Sequence, residues 1–308
     1  MVPRPLVLVL SVLSLVALRA GAQTTPRGIS LAQARAAAVR VGPEVLLAEQ
    51  REAVSRAQVE VAGTLANPTL TLQSARLTAR LSAGVSVPVP LFGQRSTAVA
   101  ASRADAEAVR LDTTVLRVEA RWSATRAWLD LWEAQERART TELAAGEADR
   151  LASIAQERFA AGSAPRLDAV RTSADRARAR AEAQATEVSV AAAAARLAIW
   201  LGATEGPALR AAGAPDLGPL PSRESARRRM DAIHPVLARD RAQSAAAAAR
   251  VRAEQRQRWP VVSAQLTVNQ GDPTLPGTDV IGGLSFEAPV LNQRGGAIDR
   301  ARAEQRLA

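Results

Sequence analysis

From Ser96 to Phe159 the chain carries no proline, and Gly146 is the one glycine. Proline breaks a helix interior and glycine weakens it, so a stretch nearly free of both reads as a single helix. At 1.5 Å per residue its 64 residues (96 to 159) span roughly 95 Å, far beyond the three or so turns of an average globular helix. Leu111, Val115, Val118, Trp122, Thr125, Leu129 and Trp132 recur at alternating steps of four and three, the 3.5-residue period of a left-handed coiled coil. Ala161-Gly162-Ser163-Ala164-Pro165 then breaks the helix, and Arg166 to Leu201 resumes it. This predicts an antiparallel helical hairpin turning near Gly162. On the return arm Leu167, Val170, Ala174, Ala177 and Ala181 repeat the steps of three and four, and small residues on such a seam permit close approach.

The composition suits such helices better than a globular core. Aromatics are 3% of 308 residues, and alanine replaces them in runs such as Ala191 to Ala195 and Ala245 to Ala249. The absence of cysteine excludes a disulfide scaffold, a thiolate metal site, a catalytic cysteine and a lipidated cysteine. A single histidine, His234, leaves no histidine cluster for a metal. No nucleophile–base pair or carboxylate dyad follows from spacing, so the chain reads as a non-enzyme without a catalytic residue, cofactor or metal. Its 40 basic residues, all arginine, exceed 30 acidic ones for a formal charge of +10. Arg171 to Arg180 and Arg223 to Arg229 are interleaved with Asp and Glu, which favours solvated helix faces over a nucleic-acid partner.

Met1 to Ala22 has a charged start at Arg4, an apolar run from Leu6 to Leu18, and Ala20-Gly21-Ala22. That is the pattern of a secretory signal peptide (residues 1–22), with Gln23 as the mature N-terminus. The apolar run is shorter than the roughly 20 residues a membrane helix needs.

Two segments share a layout. Pro43 and Pro68 bracket one helical run, Pro235 and Pro260 another, each pair 25 residues apart (68 − 43 and 260 − 235). Alternating residues follow both: Thr69-Leu70-Thr71-Leu72 after the first, and Val262, Ala264, Leu266 and Val268 between polar residues after the second. A second strand follows in each. Val85 to Arg95 aligns with Leu284 to Arg294 through a shared Pro-x-x-x-Gln-Arg ending, and the Gly- and Pro-bearing stretch Gln270 to Thr278 suits a hairpin tip. This predicts a duplicated helix–strand–strand–helix unit: residues 29–203, a Gly/Pro linker 204–221, and residues 222–308. The strands are about ten residues long, near what a tilted strand needs to cross a bilayer. Leu284, Phe286 and Ala288 form an apolar face against Ser285 and Glu287. Four strands cannot close a barrel, and open edges are not tolerated in lipid. Either copies of the chain pool their strands, or two soluble β-hairpins cap a helical rod.

Leu31-Ala32-Gln33-Ala34, Asn67-Pro68, Pro90-Leu91-Phe92-Gly93-Gln94-Arg95, and above all Arg158-Phe159-Ala160-Ala161-Gly162-Ser163 followed by Asp168 carry a resemblance to the outer-membrane efflux proteins, the TolC-like channels. The resemblance covers about residue 29 to the end. It implies a mainly α fold with a minor β part: long antiparallel coiled-coil helices, and two hairpins giving four strands to a trimeric 12-stranded outer-membrane barrel. It also implies a passive exit duct in a tripartite efflux or type I secretion system. The partners would be a homotrimer, a periplasmic adaptor (membrane fusion) protein, an inner-membrane pump and outer-membrane lipid. Phe159, Gly162 and Ser163 would meet the adaptor, although many members carry leucine where Ser163 stands. Asp168 matches an acidic position at the periplasmic entrance, or serves as an ordinary acid at a helix N-terminus. Leu70, Leu72, Val85, Val87, Val89, Leu266, Val268, Leu284 and Phe286 would lie on membrane strands.

One departure stands out. From Arg95 the first repeat continues 107 residues to Gly202, whereas only 14 residues follow Arg294, so the second repeat looks truncated after its second strand. His234, before a proline at a helix start, suits a cap or turn. Trp259 suits either the lipid headgroup region or packing under the hairpin. The rival reading is a soluble periplasmic coiled-coil adaptor or scaffold.

Overall fold

The computed structural model describes residues 27–74, 80–203, 208–215, 218–271, 277–287 and 289–308. The expected signal segment 1–22, Ala288 and parts of both hairpin tips lie outside them. In chain order the elements are β1 (Arg27–Ile29), α1 (Leu31–Val41), α2 (Pro43–Gly63), β2 (Thr69–Gln73), β3 (Leu81–Val89), α3 (Gln94–Ala160), α4 (Arg166–Leu201), β4 (Leu209–Ala211), α5 (Arg223–Ile233), α6 (Pro235–Arg256), β5 (Val261–Gln270), β6 (Thr278–Glu287) and α7 (Gly295–Leu307). They fall into two compact units, and α3 contributes to both, dividing at Arg126 and Ala127.

The larger unit holds α1, α2, α5, α6, α7, the start of α3 and an antiparallel sheet ordered β2-β3-β5-β6. Pro43 and Pro235 stand in the first turns of α2 and α6, where a missing N–H costs no hydrogen bond. Gly42 joins α1 to α2, and a Cβ there would come within 2.5 Å of the Ala38 carbonyl oxygen. His234 links α5 to α6 through its backbone: its N–H donates to Met230 O at 3.1 Å and its carbonyl accepts from Ala238 N at 3.2 Å. Its side chain caps neither helix. Helix packing rests on small residues. Ala38, Val45, Ala120 and Ala124 form one buried cluster against Trp200, and Ala101, Ala249 and Ala253 form a second. The ion pairs Arg117–Glu49 (2.8 Å) and Arg250–Asp105 (2.9 Å) tie α3 to α2 and α6.

The smaller unit is the helical hairpin of α3 (from Ala127) and α4 with a parallel ribbon of β1 on β4. Trp128 is fully buried, and its indole N–H donates to Ile29 O at 2.8 Å. Gln135 accepts from Ala211 N at 3.1 Å, so α3 holds both ribbon strands. β4 lies inside the stretch expected to be a plain linker, a local departure from that reading. Between the arms, the Thr141 and Thr186 hydroxyls meet at 2.7 Å and Arg180 pairs with Asp149 at 2.9 Å.

The helices form as the sequence reading expects, but their buried faces differ from it. Of the expected α3 seam, Val115 and Thr125 are buried, whereas Val118 and Trp122 are exposed, Trp122 by 68%. The buried strip runs instead through Ala120, Ala124, Ala127, Trp128 and Leu131. On α4 all five expected seam residues, Leu167, Val170, Ala174, Ala177 and Ala181, are exposed. The covered strip follows Ala169, Thr172, Arg176, Ala179, Ala183, Thr186, Val190 and Leu197. Its opening steps repeat the expected pattern two residues later, a rotation of about 200° around the axis. Alanine is so abundant on α4 that two opposite faces share the same period. β2 is also shorter than expected, five residues rather than about ten.

Candidate functional site

The sheet register decides what its faces are. Leu72 pairs with Ala83, Ala83 with Val268, and Val268 with Val280; Leu70 pairs with Val85, Val85 with Leu266, and Leu266 with Gly282. At the other end, Val89 pairs with Val262 and Val262 with Phe286, while Val87 pairs with Ala264 and Ala264 with Leu284. Because side chains alternate along a strand, Leu70, Leu72, Val85, Val87, Val89, Leu266, Val268, Leu284 and Phe286 share one face. The opposite face carries Thr69, Thr71, Gln73, Ser82, Ser86, Ser263, Gln265, Thr267, Asn269, Ser285 and Glu287, interrupted by Val261 and Ile281.

This sheet is inside out. Leu70 is 81% exposed, Leu284 74%, and of the nine only Val85 is half-buried. On β3 the polar-face residues Ser82, Gly84, Ser86 and Pro88 are the more covered ones. A water-soluble antiparallel sheet covers its apolar face with a second layer. Here no layer covers it among the described residues, and the patch is contiguous over four strands. One edge of β2 and one of β6 have no partner strand among the described residues.

The Pro90 to Arg95 motif fastens this sheet to the helices. Gly93 takes a left-handed φ of 81° at the turn from β3 into α3. The Gln94 side-chain amide donates to Trp259 O at 3.2 Å and Pro260 O at 3.1 Å, while its oxygen accepts from Phe92 N at 3.0 Å. Phe92 stacks on Trp259 with ring centroids 5.5 Å apart, and Arg95 donates to Gly63 O at 2.6 Å. Trp259 therefore packs at the foot of β5, one of the two roles the sequence left open, and stays 50% exposed. Neither the Gln94 clamp nor the Trp128 anchor had a sequence signal, because both partners are backbone carbonyls more than 90 residues away.

At the hairpin turn Gly162 has φ 70°. Its N–H donates to Phe159 O and the Ser163 N–H to Arg158 O, each at 2.9 Å. This is a Schellman closure, in which a left-handed residue satisfies the last carbonyls of the helix. The Ser163 hydroxyl adds a second bond to Arg158 O at 3.0 Å. Phe159, Gly162 and Ser163 are all exposed, and Asp168 is an exposed acid in the first turn of α4 with its N–H on Pro165 O. The turn is open surface, and no His, Cys, Asp or Glu cluster suited to a metal occurs among the described residues. No described helix is long and apolar enough to cross a membrane.

Solved structures share this fold. The outer membrane protein VceC of Vibrio cholerae superposes with a TM-score of 0.67 at 17% identity, over 90% of this chain and 73% of that one. A membrane protein from Pseudomonas aeruginosa gives 0.69 at 18% identity, over 90% and 71%. The Campylobacter jejuni CmeC outer membrane channel gives 0.69 at 13% identity, over 90% and 64%. The chain has the TolC-like fold of outer-membrane channels. No protein-family model and no curated protein matches the sequence. The likeness of the TolC-like chains is thus one of fold, carried by sequences that share fewer than one residue in five.

Proposed function

We propose that this chain is a subunit of an outer-membrane exit duct whose four strands join those of two further copies in a 12-stranded barrel. The observation that carries this reading is the inside-out sheet. Among the described residues its apolar face is uncovered, its polar face is the more enclosed one, and both outer edges are open. Lipid supplies the missing cover for the first, a water-filled lumen suits the second, and neighbouring copies close the third. The fold shared with outer membrane proteins supports the same reading.

In this reading the helices continue the duct into the periplasm, and solutes move through it passively with energy from an inner-membrane pump. The turn at Phe159, Gly162 and Ser163 is the contact for a periplasmic adaptor, and Asp168 belongs to the periplasmic entrance. Residues 1–22 direct export. The repeats 29–203 and 222–308 make corresponding contributions of two strands each. Fractionation of cells expressing the chain tests this directly. Heat-modifiable oligomers recovered with outer-membrane lipid are expected, and recovery as a soluble periplasmic protein would sink the duct in favour of a coiled-coil scaffold.

A further inference from the structure

The feature the duct leaves unexplained is a cationic hollow at the foot of the sheet. Arg256, Arg258, Trp259, Gln293, Ile298 and Arg302 line a cavity of about 550 Å³ where α6 runs into β5 and α7 begins. Its lining includes three guanidinium groups and no carboxylate. Arg256 and Arg258 have no ion-pair partner among the described residues, and Arg302 meets only the exposed Asp299, at 3.3 Å. Two neighbouring arginines of this unit are neutralised by facing acids, Arg250 by Asp105 and Arg294 by Glu254, and neither acid lines the hollow. Unpaired arginines in one hollow are a receptor for an anion, and the planar fork of arginine fits phosphate oxygens in particular.

The surroundings say which phosphate. Trp259 is exposed on the rim, and the loop after β6 holds Val290, 74% exposed, and Leu291, fully exposed. The apolar face of the sheet starts beside it, at the pair Val262 and Phe286. Exposed apolar side chains, an aromatic rim and arginines side by side match the headgroup boundary of a bilayer, where tryptophan anchors and basic pockets hold anionic lipids. A free phosphate ion would have no use for the apolar rim.

Resting on the membrane reading above, we propose that this hollow binds the phosphate of an anionic phospholipid in the leaflet at the helical end of the sheet. Arg256, Arg258 and Arg302 hold the phosphate, and Trp259 lies against the glycerol region. This would fix the depth at which the sheet sits in the membrane.

The test uses the full chain reconstituted in phosphatidylcholine vesicles that contain brominated phosphatidylglycerol or brominated phosphatidylcholine, with tryptophan quenching as the readout. Trp259→Phe identifies the signal that belongs to this site. The expected result is quenching of Trp259 by phosphatidylglycerol at a mole fraction about tenfold lower than by phosphatidylcholine. In the triple variant R256Q/R258Q/R302Q that ratio falls to about one. In R227Q/R228Q/R229Q, which removes the same charge from α5, the ratio is retained. Equal quenching by both lipids in the unmodified chain, or an equal loss in the α5 control, overturns the site and leaves the membrane reading standing. Loss of the preference on addition of inorganic phosphate at millimolar concentration overturns the assignment to lipid. Absence of quenching of Trp259 by either lipid overturns the membrane reading and the site together.

Discussion

The sheet and the helical hairpin solve opposite problems with the same short list of residues. In the hairpin, Ala183, Ala193, Ala194 and Leu197 go inside with Trp128 and Leu131, and arginine and acid lie outside in pairs such as Arg180–Asp149. In the sheet, leucine, valine and phenylalanine go outside, and serine, threonine and glutamine line the more enclosed face. Burial of apolar surface from water drives the first arrangement, at about 25 cal/mol per Å². The second would be unstable in water by the same arithmetic. The contrast shows that hydrophobic patterning marks which solvent a face meets as much as which face is the core.

The largest expected effect breaks the sheet alone. Leu266→Arg combined with Leu70→Arg puts two charges on the apolar face, at about 2–4 kcal/mol each near a bilayer midplane. Oligomers in the outer-membrane fraction should disappear, while the hairpin's far-ultraviolet helical signal survives. An unchanged oligomer yield would mean that the face does not meet lipid.

Trp128→Ala should do the converse. It removes the largest buried side chain of the hairpin and the indole bond to Ile29 O, which keeps its bond from Ala212 N, with a loss of about 3–5 kcal/mol. Denaturant unfolding should show the hairpin transition shifted while membrane association persists. Gly162→Ala is smaller. No atom lies within 4 Å of the missing Cβ, so the cost is the left-handed φ alone, about 1–2 kcal/mol, and Gly162→Asn should recover part of it.

The smallest effect is electrostatic. Hydrogen bonds from Arg110 and Arg300 hold the Glu107 and Glu304 carboxyls below their ordinary range. Groups with a depressed folded pKa stabilise above the unfolded value, about 4.3, and lose that contribution as pH falls through the folded one. A slight drop in melting temperature between pH 5 and the acid limit is expected at low salt. Because both pairs are exposed, about 1 M salt should erase it.

Much of this contrast was legible from the chain. Prolines at positions 43, 68, 235 and 260 bracket helices that end within a few residues of them, because proline acts locally. The alternation of Leu266, Val268, Leu284 and Phe286 told the sheet's faces apart, because a period of two admits only two faces. The hairpin turn was legible at Gly162 for a similar reason: its backbone demands a residue without a side chain. The buried face of α4 was not legible. Its alanines repeat at three and four on opposite sides, so Leu167 and Val170 suggested a seam that Ala169 and Thr172 occupy. The Gln94 clamp and the Trp128 anchor were invisible because they join side chains to distant carbonyls, which have no residue identity to read. β1 and β4 escaped for want of length, three residues each.

One measurement bears most directly on the inside-out sheet. The chain has no native cysteine, so single cysteines placed along Val261 to Gln270 of the reconstituted protein carry a nitroxide label without background. Collision with oxygen, which concentrates in lipid, is compared with collision with a water-soluble nickel complex. Labels at 262, 264, 266 and 268 are predicted to favour oxygen, and labels at 263, 265, 267 and 269 the aqueous reagent, alternating residue by residue. Equal access of the nickel complex to both sets would contradict the claim that lipid covers the apolar face.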